Sequence, residues 1–376
     1  MTHREDTFAE IVEDISQSSQ GSITVNKSQG IRRSCSFTMI NINQKYTPSV
    51  NNPFWYNRKF RLYIGLCDDY NNSVYWFSQG VFVTKRATGN RHTVTIEAVD
   101  KFGFLDGTLH TQVCQLTTSI PAGTNVGKLI RDTLGLDLGN GVPTDPIFPI
   151  IDTELANKKT LNEIVLNVGQ YIGELFVQLA TSFGADVYYD RMGRLRFSRI
   201  FNDDIPSWYV HKGAIWDFDD KNINYIEPTV DYEYDGFNVV TVSSDNSDGH
   251  IYTYTAVNDN PQSPVAVSSV GYRSPDNFVV YIPLGEEMSN DTCRQYAEHL
   301  LLTYTCMTVK TNFSTPIMPH FNVDETITIT DDKYQFEQKK FLIQSLTIPF
   351  GVGQMTVSAV NLQWMPTGGV NFIEKK

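Results

Sequence analysis

The 376-residue chain carries 42 acidic against 30 basic residues, a formal net charge of −12 at pH 7, and is 41% hydrophobic and 19% charged. This balance excludes a disordered chain and a coiled coil, and it argues against nucleic-acid binding by phosphate neutralisation, which needs clustered Lys and Arg. The length predicts two or three domains with cores large enough to stand without disulfides or metals.

The 22 Phe and 19 Tyr, with abundant Thr and Val, lean the composition toward β structure. At the N-terminus a short helix is expected over Phe8–Ile15, in a segment too acidic for a signal peptide. No stretch approaches the roughly 20 apolar residues of a membrane span, so the chain is expected to be made in the cytoplasm and to stay soluble there. Six β-rich runs follow, Ser22–Asn26, Cys35–Asn43, Phe60–Cys67, Val74–Phe77, Gly80–Lys85 and Thr93–Val99, separated by Asn, Gly and Asp. Their spacing suits a small barrel or sandwich.

Between about 108 and 200 the pattern changes to an α/β insert. Asn125–Leu134 and Leu161–Phe183 carry apolar residues at helical spacing, the first with Thr124 as its expected N-cap and Gly135 as its stop. Ala185–Ser198 predicts a hairpin turning at Asp190–Gly193. After a connecting stretch containing Pro206, Trp208 and Trp216, alternation returns in Tyr234–Ser243 and Gly249–Ala256, then in Thr326–Thr330, Lys340–Ile348 and Gln354–Val360. One helix is expected over Glu286–Tyr304, with Cys293, Tyr296, Ala297, Leu300, Leu301 and Tyr304 on one side. The order β, α/β, β, with two β-rich regions of similar size, suggests a distant duplication.

Five cysteines, at 35, 67, 114, 293 and 306, form no CxxC pair and read as free, mostly buried thiols. Gly123–Lys128 approaches a phosphate-binding loop but has the wrong glycine spacing, and Leu129 stands where magnesium needs Ser or Thr. Asp245–Gly249 resembles a calcium loop only superficially, and Ser247–Gly249 reads better as a hairpin turn. The histidines at 3, 92, 110, 211, 250, 299 and 320 have no metal-motif spacing. Asp203-Asp204, Asp219-Asp220 and Asp331-Asp332 could serve a glycosidase only if two carboxyls faced each other across a cleft; solvated turns are the simpler reading. No Gly-x-Ser-x-Gly, HExxH or CGxC signature is present. No catalytic, cofactor-binding or metal-binding residue is assigned, and no cofactor is expected.

Three stretches carry a family resemblance. They are Phe60–Gly65 with Trp76–Val83 and Thr95–Gly107, including Asp100-Lys101 and Leu105-Asp106-Gly107; Phe183–Phe197; and Asn238–Val242 with Val257–Pro264, Gly271, Phe341–Pro349 and Gln354–Ser358. In this order they resemble the hub proteins of phage baseplates and tail tips, including the central hub of the T4 baseplate and tail proteins of Gram-positive prophages. The resemblance implies a mainly β fold with an α+β insert: two hub-type β-barrel domains plus an inserted α/β domain. Its divisions fall at residues 1–107 (first barrel with an N-terminal arm, completed by part of 201–236), 108–200 (insert), 201–236 (connection), 237–365 (second barrel with a helix near 286–304) and 366–376 (tail). Gly65, Gly80 and Gly107 are expected to serve backbone shape, and Pro261 and Pro264 to fix a loop.

The implied function is noncatalytic. A homotrimeric ring of the virion tail would join a sixfold tail tube or distal tail protein to a threefold spike, tip or fibre. It would surround the DNA channel, with a tape measure protein as a further partner, no sequence-specific nucleic-acid binding and no membrane span. The acidic balance would suit that channel. Some relatives carry a peptidoglycan-degrading domain after the hub, for which the stretch ending at Lys376 is expected to leave no room. Two other classes stay open: a tail-associated cell-wall hydrolase using Asp203, Asp204, Asp219 or Asp220, and a receptor- or glycan-binding module using Trp55, Tyr56, Trp208 and Trp216.

Overall fold

A computed structural model describes residues 15, 19–109, 117–135, 145–199, 214–233, 237–243, 251–261, 266–272, 290–301 and 308–362, less positions 51, 53, 56, 57, 69, 71, 72, 146, 161, 162, 183, 184, 291, 292, 295, 296, 299, 300 and 352. The expected helix at Phe8–Ile15 lies outside these residues apart from Ile15. The architecture is mostly β with few helices.

The first β region contains β1 (Ser19–Asn26), β2 (Arg33–Ile40), β3 (Lys59–Asp68), β4 (Ser73–Gly89) and β5 (Thr93–Asp100). Three of these strands bury alternate residues, as a half-covered sheet requires: Ile23 and Val25 on β1, Cys35, Phe37 and Met39 on β2, Val94, Ile96 and Ala98 on β5. The separately expected runs Val74–Phe77 and Gly80–Lys85 are one continuous strand, β4.

The insert holds β6 (Thr118–Ile120), α1 (Val126–Leu134), β7 (Ile150–Ile151), α2 (Thr153–Asn157), β8 (Ile164–Leu166), α3 (Ile172–Ser182), β9 (Ala185–Tyr189) and β10 (Leu195–Arg199). β9 and β10 form the expected hairpin, closed by Gly193 N–H donating to the Asp190 carbonyl at 3.0 Å. Two expectations are corrected. Asn125 rather than Thr124 caps α1, its side chain accepting from Lys128 N–H at 2.9 Å, whereas the Thr124 hydroxyl turns back to the Pro121 carbonyl. The long helix over Leu161–Phe183 is instead a short strand and a shorter helix, because Gly169 takes a φ of +90° that breaks the chain between β8 and α3. The two glycines inside the expected helix thus have different fates. Gly173 stays in α3 and packs so closely on Leu105 that its N–H reaches the Leu105 carbonyl at 2.7 Å.

The remaining elements are β11 (Asp217–Asp219), β12 (Ile226–Glu233), β13 (Val239–Ser243), β14 (Thr253–Val257), α4 (Val267–Val270), β15 (Thr308–Pro316), β16 (Thr326–Asp331), β17 (Phe336–Pro349) and β18 (Gln354–Leu362). β12 falls in the stretch read as a connection, and β15 was not expected.

Eleven strands from both β regions join one sheet, ordered β12-β15-β18-β17-β1-β2-β5-β4-β3, with β16 also on β17 and β11 on β16. The seam between the regions is the antiparallel β1–β17 pair, from Ser22 opposite Pro349 to Asn26 opposite Ser345. A bulge between Ile343 and Ser345 shifts the phase of β17, so that Phe341 and Ile343 before it and Leu346 and Ile348 after it all face the same core. Phe37 meets Phe350 edge-on at 5.5 Å within that core. Among the described residues the path is open, with β3 and β12 at its ends.

A second core belongs to the insert, where α1 and α3 pack Leu129, Ile130, Phe176 and Leu179 against Val187, Tyr189 and Phe197 of the hairpin. A third, small core joins Val240, Val242 and Ala256 of the β13–β14 pair to Cys293, Ala297 and Leu301. Those last three are helical and lie on one face, as the spacing predicted. Tyr296, Leu300 and Tyr304 of the same predicted face lie outside the described residues.

Candidate functional site: a buried charged junction beside an exposed aromatic hairpin

Among the described residues, buried charge is concentrated where the β1–β2 loop, the β9–β10 hairpin and the segment before β16 converge. Arg32 is its centre. Its side chain is 2% exposed and lies between Asp186, at 3.0 Å, and Asp324, at 2.8 Å, with its guanidinium 3.6 Å from the centre of the Tyr188 ring. Lys27 reaches Asp324 from the other side at 2.9 Å. Beside it, buried Arg33 donates to Asn322 Oδ1 at 2.7 Å and to the Gln79 carbonyl at 3.3 Å. Burial, followed by the nearby Arg191 charge, lowers the Arg33 pKa to about 10.

Asp100 closes the junction from β5. One carboxylate oxygen accepts the backbone N–H groups of Arg32 and Arg33, at 2.8 and 2.9 Å, and the other accepts that of Phe102 at 2.9 Å. Complete burial nevertheless outweighs these bonds and pushes its pKa up to about 6. The neighbouring Lys101 ammonium is paired with Asp145 at 2.9 Å and donates to the Gly193 carbonyl at 2.8 Å, while Tyr189 donates to the same Asp145 at 2.7 Å.

Backbone bonds make the loop part of the insert. Gly30 N–H donates to the Val187 carbonyl at 2.9 Å, and the Gln29 side chain bonds both Val187 N–H and Asp186. Arg191 reaches the Phe321 carbonyl, and Ser78 of β4 donates to the Arg191 carbonyl at 3.0 Å. The two carboxylates around Arg32 are driven in opposite directions: burial raises the pKa of Asp186, whereas at Asp324 burial is overcome by Lys27 and Arg32, which hold its carboxyl below the usual range. Such a divided pair can serve acid–base chemistry. Here the guanidinium occupies the space between the carboxylates, so the arrangement holds three chain segments together and leaves no room there for a substrate.

The β3–β4 hairpin has the opposite character. Tyr63, Leu66, Tyr70, Val74, Tyr75 and Trp76 are all exposed, Trp76 by 64% and Tyr70 completely. The register places Gly65 opposite Trp76, and a Cβ on Gly65 would stand 2.9 Å from the indole. The glycine therefore lets the ring lie across the strand. The hairpin root is packed, through Phe60, Leu62 and Ile64, on the main core.

The residues singled out from sequence are dispersed. Lys128 of the phosphate-loop-like segment is exposed and ion-paired with Asp132 at 3.5 Å. Asp219 and Asp331 cap turns, accepting from Lys221 N–H and from Lys333 N–H, each at 2.9 Å. The parallel β11–β16 pair brings these two turns together, where Lys221 pairs with Asp332 at 3.3 Å. Trp55 lies in the β2–β3 loop, and Trp216 packs against His320. Asp203, Asp204, Tyr56, Trp208 and Asp245–Gly249 lie outside the described residues, as do Cys114, Cys306, Pro264 and His3, His110, His211, His250 and His299. Among the described cysteines Cys35 and Cys293 are buried and Cys67 is exposed. No metal-holding group of His, Cys, Asp or Glu occurs among the described residues, and no described helix is long and apolar enough to cross a membrane.

Gly107 follows its expectation: its φ is +84°, and a Cβ would stand 2.4 Å from the Tyr171 ring. Of the charged junction only Asp100-Lys101 stands out in the sequence, as part of a resemblance and not as a charged site, because the partners lie far apart in the chain; Arg32 and Asp324 are separated by 292 positions.

No family model and no curated protein matches the chain by sequence. Among solved structures it is similar to a tail protein from Neisseria meningitidis MC58, at 11% identity and a TM-score of 0.54 over 91% of each chain. It is also similar to a prophage tail protein from Listeria monocytogenes EGD-e, at 14% identity and 0.52 over 93% of this chain and 89% of that one. A 43 kDa tail protein of prophage MuSo2 from Shewanella oneidensis gives 12% identity and 0.51, over 92% and 94%. The sheet with its α/β insert is thus a fold shared, nearly end to end, with prophage tail proteins.

Proposed function

We propose that this chain is a noncatalytic hub subunit of a phage or prophage tail, assembling as a homotrimeric ring in the baseplate or tail tip. The observation that carries the reading is the fold shared with tail proteins, two of them from prophages, over about nine-tenths of both partners. In this reading residues 1–107 and 237–365 supply two related hub barrels, and 108–200 the insert. Two barrels per subunit give a trimer six near-equivalent surfaces, which adapts a sixfold tube to a threefold spike or fibre around the DNA channel. A tape measure protein is a further partner in this reading, and acidic side chains facing the lumen would suit the net charge of −12. The filled junction around Arg32 supports a structural role, because its charges are spent on one another.

The test is solution mass by light scattering, paired with negative-stain images of the same sample. A three-subunit ring with a central hole is the expected result. A strict monomer at every concentration, together with cell-wall hydrolysis abolished by changing Asp219 or Asp220, would overturn it in favour of a hydrolase.

A further inference from the structure

The β3–β4 hairpin runs past the core that holds its root. Cross-strand pairs share a face, so one side carries Ile64 opposite Phe77 and then Leu66 opposite Tyr75, while the other carries Tyr63, then Gly65 opposite Trp76 and Cys67 opposite Val74. Ile64 still packs on the main core, and Phe77 still meets the His320 ring at 6.4 Å. Beyond them both faces are apolar and both face water: Leu66 and Tyr75 on the first, Tyr63, Trp76 and Val74 on the second. A two-stranded ribbon on its own is marginally stable in water, and one that is apolar on both faces is covered only by a partner that reaches both.

Area and charge point to the same kind of partner. The exposed fractions of Tyr63, Tyr70, Tyr75 and Trp76 leave roughly 400–700 Å² of aromatic surface in water, against the roughly 800 Å² that each partner gives to a specific interface. The paired stretches Leu62–Cys67, LYIGLC, and Ser73–Ser78, SVYWFS, hold no charged residue. Two copies of a chain with a net charge of −12 repel each other over most of their surfaces, and an uncharged ribbon is where they meet with least repulsion. β3 also ends the described sheet, which puts the ribbon at a lateral margin, where a ring neighbour sits.

We infer that the β3–β4 ribbon is the arm by which one copy holds the next, buried on both faces against a second copy of this chain in the assembled state. This inference rests on the ring reading and specifies its contact. The ribbon and the surface that receives it are different parts of the chain, so the contact is head-to-tail and closes into a ring when the rotation fits. Gly65 belongs to this arrangement: without a Cβ there, the Trp76 indole lies against the strand and the ribbon stays thin enough to be enclosed.

Cys67 reports on the ribbon directly, since it is exposed while Cys35 and Cys293 are buried. Maleimide labelling of the wild-type chain, read at the Cys67 peptide by mass spectrometry above and below the concentration of half-association, should slow by about tenfold or more on assembly. Tyr75→Ser with Trp76→Thr should weaken association by about tenfold or more in sedimentation across a concentration series, because truncated aromatic anchors dominate the loss at an interface. Circular dichroism checks that the double variant folds, and Trp76→Thr alone replaces it if it does not. A ring in which Cys67 labels as fast as in the dissociated chain, or a folded variant that associates like the wild type, overturns the ribbon contact and leaves the ring reading standing. Full protection of Cys67 already in the monomer does the same, because the chain then covers its own ribbon. A wild type that stays monomeric at every concentration overturns both.

Discussion

The junction around Arg32 and the β3–β4 hairpin are adjacent yet opposite in how they treat costly groups. In the junction, the Arg32 guanidinium and the Lys101 ammonium are matched by carboxylates from distant chain segments, and the remaining charges are held by neutral hydrogen-bond partners inside the molecule. On the hairpin, six large apolar side chains remain in water. The first is a finished internal interface, whereas the second exposes clustered apolar side chains of the kind that interfaces bury. The contrast teaches that burial alone does not mark function here: the buried charges of the junction hold the chain together, while ordinary hydrophobic side chains face outward.

The strongest way to break the junction is to remove one member of a pair. Asp145→Ala leaves the Lys101 ammonium, 1% exposed, without its carboxylate, and should cost about 3–5 kcal/mol in denaturant unfolding. Adding Lys101→Met should recover most of that loss, because a methionine of similar length needs no counter-ion. Gly107→Ala comes next, at about 1–3 kcal/mol, since the new methyl meets the Tyr171 ring and the positive φ disfavours it.

Asp100 sharpens the comparison by pH. Its folded pKa of about 6 lies above the ordinary carboxylate value of 3.8, so its contribution to stability is fully present below 3.8 and is lost as pH rises through 6. Between pH 7 and 5 the wild type should therefore gain roughly 1 kcal/mol relative to Asp100→Asn, measured by urea unfolding at each pH. A difference that shrinks with acidification would show the three backbone N–H groups to outweigh burial. The smallest stability effect belongs to the hairpin: Trp76→Thr should change unfolding by no more than about 0.5 kcal/mol. The same change should lower association, which separates the two regions by readout.

Much of the fold was legible because local pattern and final environment agree. Cys35, Phe37 and Met39 alternate in the sequence and alternate in burial; Asp190–Gly193 has the residues of a turn and makes one. The errors have local causes too. Leu161, Ile164 and Leu166 fall at spacings compatible with a helix, yet a glycine at 169 held at positive φ divides the run, and only tertiary packing decides that. β12 was hidden by Pro228 and by its acids, which are the marks of an edge strand rather than a core one. β15, TVKTNFSTP, buries Val309 and Phe313 but also Thr311 and Thr315, so its inward face does not look apolar. The junction was illegible for a different reason: its charges acquire meaning only when loops distant in sequence are brought within 3 Å.

The β1–β17 seam bears on how such a molecule is made. Ser22 leaves the ribosome long before its partner Pro349, and at about 5–20 residues per second the intervening chain takes roughly 15–60 s to synthesise. During that interval one side of β1 has no native strand to pair with. A polypeptide whose translation stops before β17 cannot form this seam, so the central sheet closes only when nearly the whole chain has been made.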